Sequence, residues 1–131
     1  MAVTLTVRTS NRTEFIDITE QVRQAVTESN VRDGVCFVFV PHTTAGVTIN
    51  EGADPDVQRD ILGVLNEVVP ARFPYRHSEG NSPAHIKASL VGSSVQVIVE
   101  GGKPLLGTWQ SVFFCEFDGP RNRKVYLSIK G

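Results

Sequence analysis

The sequence predicts an α+β fold: a single domain spanning residues 1–131, mostly an antiparallel β sandwich with about three helices. Three observations carry this. About eight short segments alternate apolar and polar residues as half-buried strands do. A few others repeat apolar residues at helical spacing behind capping residues. Gly, Pro, Asp and Asn separate these segments at short intervals, with no repeat, linker or low-complexity stretch.

Residues 2–9, AVTLTVRT, alternate Val3, Leu5 and Val7 with polar partners, and residues 14–18, EFIDI, read as a second strand. Thr19 offers an N-cap to a helix carrying Val22, Ala25 and Val26 on one face, which should fade near Asn30. Residues 35–40, VCFVFV, are a continuous apolar run, consistent with a strand buried on both faces. A short strand at 46–51 follows. Asp54 and Pro55 then open the clearest helix, with Val57, Ile61, Val64, Leu65 and Val68 as its apolar stripe and Pro70 as its end. Residues 70–83 read as a polar loop. Ser82-Pro83 starts a third helix, with Ile86 and Leu90 toward the core and Gly92 as C-cap. From residue 94 onward the pattern is β: SVQVIVE, a Gly101-Gly102 turn, a strand near 109–117, a DGPR turn and RKVYLSI.

A 131-residue chain buries roughly two thirds of its unfolded surface, enough for a core without metal or disulfide staples. Thirteen basic and 14 acidic side chains leave a net charge of −1, so nucleic acid is disfavoured as the main partner. Basic clusters at Arg72/Arg76 and at Arg121, Arg123 and Lys124 suit a small anion instead. The longest apolar run falls far short of about 18 residues, so no membrane span is expected, and the first residues lack the pattern of a signal peptide. The chain is expected in the cytoplasm, with Cys36 and Cys115 as reduced core thiols.

The chemistry gathers around the three histidines, His42, His77 and His85. PHTTAGVTINEGADPD, residues 41–56, leaves a buried strand with an imidazole, hydroxyls and carboxylates, and polar groups there can be held rigidly yet face solvent. In it, His42 and Glu51 are site candidates, whereas Thr43, Thr44 and Asn50 can equally serve turns. YRHSEGNSPAHIK, residues 75–87, places His85 as the third residue of its helix, where the helix dipole favours the uncharged ring. Three neutral imidazoles with a water would suit Zn²⁺ or a similar transition ion, although their spacing matches no short motif. In LLGTWQSVFFCEFDGPRNRK, residues 105–124, a strand puts Phe113, Cys115 and Phe117 on one face and Gln110, Val112, Phe114 and Glu116 on the other. A carboxylate such as Glu116 among aromatics should be paired, metal-linked or raised in pKa, unless that face is open to water. Trp109 reads as core, and Arg121 either clamps an anion or balances Glu116 or Asp118.

Taken together, HTTAGVTINE with DPDVQRDI, YRHSEGNSPAHIKASLVGSS and GTWQSVFFCEFDGPRNRKV resemble the YjbQ-like family over nearly the whole chain. The resemblance implies an α+β domain rich in antiparallel sheet, assembled as a homotrimer. It also implies a secondary thiamine-phosphate synthase activity, in which hydroxymethylpyrimidine diphosphate and thiazole phosphate give thiamine phosphate and diphosphate. His42, His77 and His85 match the family's histidine positions.

The leading expectation is a metal-assisted enzyme acting on a small phosphorylated substrate. In it His42, His77 and His85 hold a divalent ion, Zn²⁺ with Mg²⁺ as the alternative, and Glu51 or Glu116 acts as base or supports a ligand. Ser78, Asn81, Thr108, Gln110 and Arg121 bind substrate. The competing expectations are a non-catalytic metal- or ligand-binding module, and a structural trimer whose histidines stabilise the subunit interface.

Overall fold

The computed structural model describes residues 2–131. In chain order its elements are β1 (Val3–Arg8), β2 (Glu14–Asp17), α1 (Thr19–Ser29), β3 (Gly34–Phe39), β4 (Ala45–Glu51), α2 (Pro55–Val68), α3 (Ser82–Val91), β5 (Ser94–Glu100), β6 (Lys103–Pro104), β7 (Gln110–Glu116) and β8 (Asn122–Lys130). The strands form a five-stranded sheet, β1-β8-β3-β5-β6, and a three-stranded sheet, β2-β7-β4. Every strand pairing in both sheets is antiparallel. The expected α+β architecture with three helices is what the chain adopts.

Strand alternation sets the layers. On β7, Val112 and Phe114 enter the main core with Cys36, Val38, Val47, Val125 and Leu127, which fills the space between the two sheets. Phe113, Cys115 and the adjoining Phe117 point the other way, into a second core with Ala84 and Ala88 of α3. Leu62 and Leu65 of α2 pack on that core from its edge. The order is therefore large sheet, small sheet, then α2 and α3, with α1 contributing Val22, Ala25 and Val26 to the first core.

Several expectations need correction. The strand buried on both faces is β7, not the 35–40 run: β3 buries Cys36 and Val38, while Phe37 and Phe39 stand on the bare outer face of the large sheet. In α3 the buried residues are Ala84, Lys87 and Ala88, and Ile86 and Leu90 are exposed. The cause is the close approach of α3 to β4. A Cβ on Gly46 would lie 2.5 Å from the Gly92 carbonyl oxygen, so only small side chains fit between helix and strand. The α2 stripe is mostly a surface: no residue of α2 is buried, and Val64 and Val68 are exposed. Trp109 is 64% exposed, so it is not core.

Local signals fare better. Asp54 caps α2 by accepting a hydrogen bond from the Asp56 amide at 2.9 Å, with Pro55 as first residue. Gly101 and Gly102 both take positive φ in the β5–β6 turn. Thr19 is instead the first residue of α1. Its hydroxyl donates to Asp17 Oδ1 and accepts from the Val112 amide, tying α1 to β7. Both cysteines are free and buried. Among the described residues, no helix is long and apolar enough to cross a membrane.

Candidate functional site

The site is built where the chain leaves β3 for β4. His42 Nε2 accepts a hydrogen bond from the Lys124 amide of β8 at 2.9 Å. A backbone N–H can only donate, so the neutral ring carries its proton on Nδ1. Burial lowers the His42 pKa below the ordinary imidazole value, the nearby Arg123 charge lowers it further, and Glu116 partly offsets both.

Beneath the loop lies a buried ion pair. Arg123 Nη2 donates to Glu116 Oε2 at 2.5 Å and Nε donates to Oε1 at 2.8 Å. Glu116 also accepts from the Thr9 hydroxyl and from the amides of Phe117 and Asp118. Burial alone would raise the Glu116 pKa, but hydrogen bonds from Arg123, the Asp118 amide and Thr9, with the Arg123 charge, bring it below the usual carboxylate value. Arg123 Nη2 reaches on to Thr44 Oγ1 at 2.8 Å, two residues past His42. The anomalous carboxylate is thus paired, and its partner is Arg123; Arg121 pairs with Asp118 at 3.2 Å.

Two adjoining cavities meet at His42. One, of about 390 Å³, is lined by His42, Thr43, His85, Ser89 and Ser93 among others. The other, of about 500 Å³, shares His42, Thr43 and Ser93 and is also lined by Arg121 and Arg123. His85, the fourth residue of α3, stands edge-on to His77 with ring centroids 5.3 Å apart. So His85 shares a cavity with His42 and stands beside His77, while Arg121 lines the adjoining cavity. From the sequence, Arg123 stands only in a basic cluster suited to a small anion, and neither Thr9 nor Ser93 is singled out. Arg123 had left a signal: it is in phase with Val125 and Leu127, the inward positions of β8.

The remaining candidates lie elsewhere. Glu51 pairs in register with Gln110 at one end of β4 and β7, while Ala45 pairs with Glu116 at the other. Six residue steps, roughly 20 Å of strand, separate the ends. Glu51 Oε2 accepts from the Ala53 amide, and Gln110 Oε1 accepts from the Gly107 amide beside Thr108. Asn81 lines a third cavity, and Ser78 is exposed in the turn before α3.

As folded, the three histidines do not fit a three-nitrogen metal centre. With Nε2 engaged by Lys124 and Nδ1 protonated, neutral His42 has no free lone pair. Among the described residues, no three His, Cys, Asp or Glu side chains stand in metal-holding geometry.

Residues 3–131 match the family described as UPF0047 protein YjbQ-like. A UPF0047 protein of Methanocaldococcus jannaschii is 54% identical over 125 residues, covering 95% of this chain and 91% of the relative. The UPF0047 protein YugU of Bacillus subtilis is 50% identical over 132 residues and covers both chains fully. A solved YjbQ/UPF0047 structure from Clostridium acetobutylicum superposes with a TM-score of 0.96 at 60% identity, covering 98% of this chain and 99% of that one. A YbjQ-like protein of unknown function from Sulfolobus solfataricus gives 0.94 at 34% identity, covering 98% and 95%. With nearly its whole length matched, the chain belongs to the UPF0047 YjbQ-like family.

Proposed function

We propose that the cleft around His42 binds a small phosphorylated substrate and that the chain is an enzyme acting on it. The supporting observation is a pair of adjoining cavities that share His42, Thr43 and Ser93, one lined also by His85 and the other by Arg121. The His42 Nδ1–H is a fixed donor, because Lys124 holds the opposite nitrogen. Arg121 is half exposed, so its guanidinium is held by Asp118 on one side and open to ligand on the other. Two such donors suit a phosphate or diphosphate oxygen, and preorganised donors of this kind stabilise charge that develops on a leaving group.

The reaction class comes from the family resemblance: displacement of diphosphate from hydroxymethylpyrimidine diphosphate by thiazole phosphate, giving thiamine phosphate. Displacement of this kind requires no covalent nucleophile. In this reading Glu116 braces the site through Arg123 and is not the base, since all its oxygen contacts are already taken up inside the protein. The homotrimer belongs to the same proposal. The exposed Phe37, Phe39 and Ile98 on the outer face of the large sheet support association, and an adjoining copy would offer Glu51, Thr108 and Gln110 a route to the histidines.

A divalent ion, Zn²⁺ or Mg²⁺, is a second reading, favoured by the adjacency of His77 and His85 beside the cavity that His42 lines. It requires His42 to give up the Lys124 amide, so no step above is routed through it. Elemental analysis of wild type and of His77→Ala decides this: His77-dependent metal supports the ion, and equal metal content in both removes it.

The enzyme reading is tested by incubating wild type, His42→Asn and Arg121→Ala with the two thiamine precursors. It requires product from wild type and at least about tenfold less from each variant. Diphosphate binding without any product would make the chain a binding module, and equal rates in all three proteins would place the chemistry elsewhere.

A further inference from the structure

α3 lines two cavities. His85 and Ser89 face the histidine cleft, while Ala84 and Lys87 face a separate cavity of about 410 Å³. Arg12, Asn66, Asn81 and Phe117 also line this second space, and none of its lining residues is acidic. Lys87 is only 7% exposed, yet among the described residues it forms no ion pair. Its ammonium donates to the neutral amide oxygen of Asn66 at 2.6 Å. A buried ammonium held only by a neutral acceptor lacks the counter-charge that normally accompanies it.

Asn81, which lines the same cavity, carries an acceptor without a donor. Asn81 Oδ1 is buried and has no hydrogen-bond partner among the described residues. The amide cannot be turned round to cure this, because Asn81 Nδ2 donates to Asp118 Oδ2 at 2.9 Å, and a flip would set two oxygens against each other. Arg12 lies at the rim, with one nitrogen on Asp118 at 3.2 Å and most of its side chain exposed. Asp118 is already shared by Arg12 and Arg121, so the charge of Lys87 has no carboxylate to balance it.

We infer that this cavity is a second binding site, taking a small oxyanion that carries a hydroxyl or amino donor beside its charge. The anionic group sits on Lys87 and Arg12, and the donor satisfies Asn81 Oδ1. The unneutralised charge and the unmet acceptor are two independent defects of the free protein, and one such ligand repairs both. Burial and the Arg12 charge lower the Lys87 pKa, which an arriving anion would reverse. The site is independent of the reading given to the histidine cleft.

The test is an NMR titration of isotope-labelled protein with glycolate, acetate and inorganic phosphate in turn. Glycolate should shift the side-chain amide signals of Asn66 and Asn81 to saturation. Acetate, which has no second donor, should need at least about fivefold higher concentration, and Lys87→Met should weaken glycolate at least about tenfold. Phosphate tighter than glycolate would uphold the site and identify a phosphate ester as its ligand; the reverse order would uphold it for a carboxylate. Unmoved amide signals, shifts centred on His42, or glycolate binding indifferent to Lys87→Met would overturn the inference. Should Lys87→Met not fold, Asn81→Ala serves instead: it must abolish the preference for glycolate over acetate, and retention of that preference would contradict the site.

Discussion

Glu116 and Arg123 meet through two hydrogen bonds, of 2.5 and 2.8 Å, at 0% and 3% exposure, and the same guanidinium holds Thr44 two residues beyond His42. The pair therefore connects the small sheet, the large sheet and the loop that carries the candidate site. Glu116→Gln leaves Arg123 as a buried cation with its charge unmatched. It should cost about 3–5 kcal/mol of stability in urea denaturation. The double variant Glu116→Gln/Arg123→Met should recover part of that loss, because it removes the stranded charge.

His42 imposes a pH dependence of definite sign. Its folded pKa lies below the ordinary value, so in the acid range the folded protein binds fewer protons than the unfolded chain. The stability this contributes is complete above about pH 6.5 and is lost as pH falls toward the folded pKa. Glu116 works in the same direction lower down, with stability present above about pH 4.3 and lost as pH falls through its depressed pKa. Urea midpoints should thus fall between pH 7 and pH 5.5 in wild type, and by less in His42→Gln; both values mark the window around an ordinary imidazole, about 6.5.

The thiols should be inert in the native protein. Burial raises Cys36 to about 11 and pushes Cys115 up as well, so almost no thiolate is present at neutral pH. A thiol-specific dye should label neither residue on the timescale that labels both in urea.

Asp54 is a local test of the α2 start. Asp54→Ala removes the oxygen that accepts from the Asp56 amide and should cost about 1 kcal/mol, read from the urea midpoint.

What could be read before folding divides along physical lines. Caps, turns and strand alternation depend on neighbours in sequence, so Asp54, Gly101-Gly102 and the two faces of β7 were legible. Which face of an element meets the core depends on distant partners. α3 turns Ala84 and Ala88 inward because the backbone at Gly46 comes so close, and nothing inside the helix announces that approach. The run 35–40 is apolar on both faces, yet the large sheet has a core on one side only, which leaves Phe37 and Phe39 outside. For the site, segment composition pointed to His42, His85 and Arg121. It could not show that β4 and β7 are long enough to part Glu51 and Gln110 from them.

Titration of the protein with inorganic diphosphate, followed residue by residue by NMR, bears most directly on the central claim. The account predicts saturable shifts centred on His42, Thr43 and Arg121, with binding weakened at least about tenfold in Arg121→Ala. Shifts centred on other residues, or equal binding by wild type and Arg121→Ala, would contradict it.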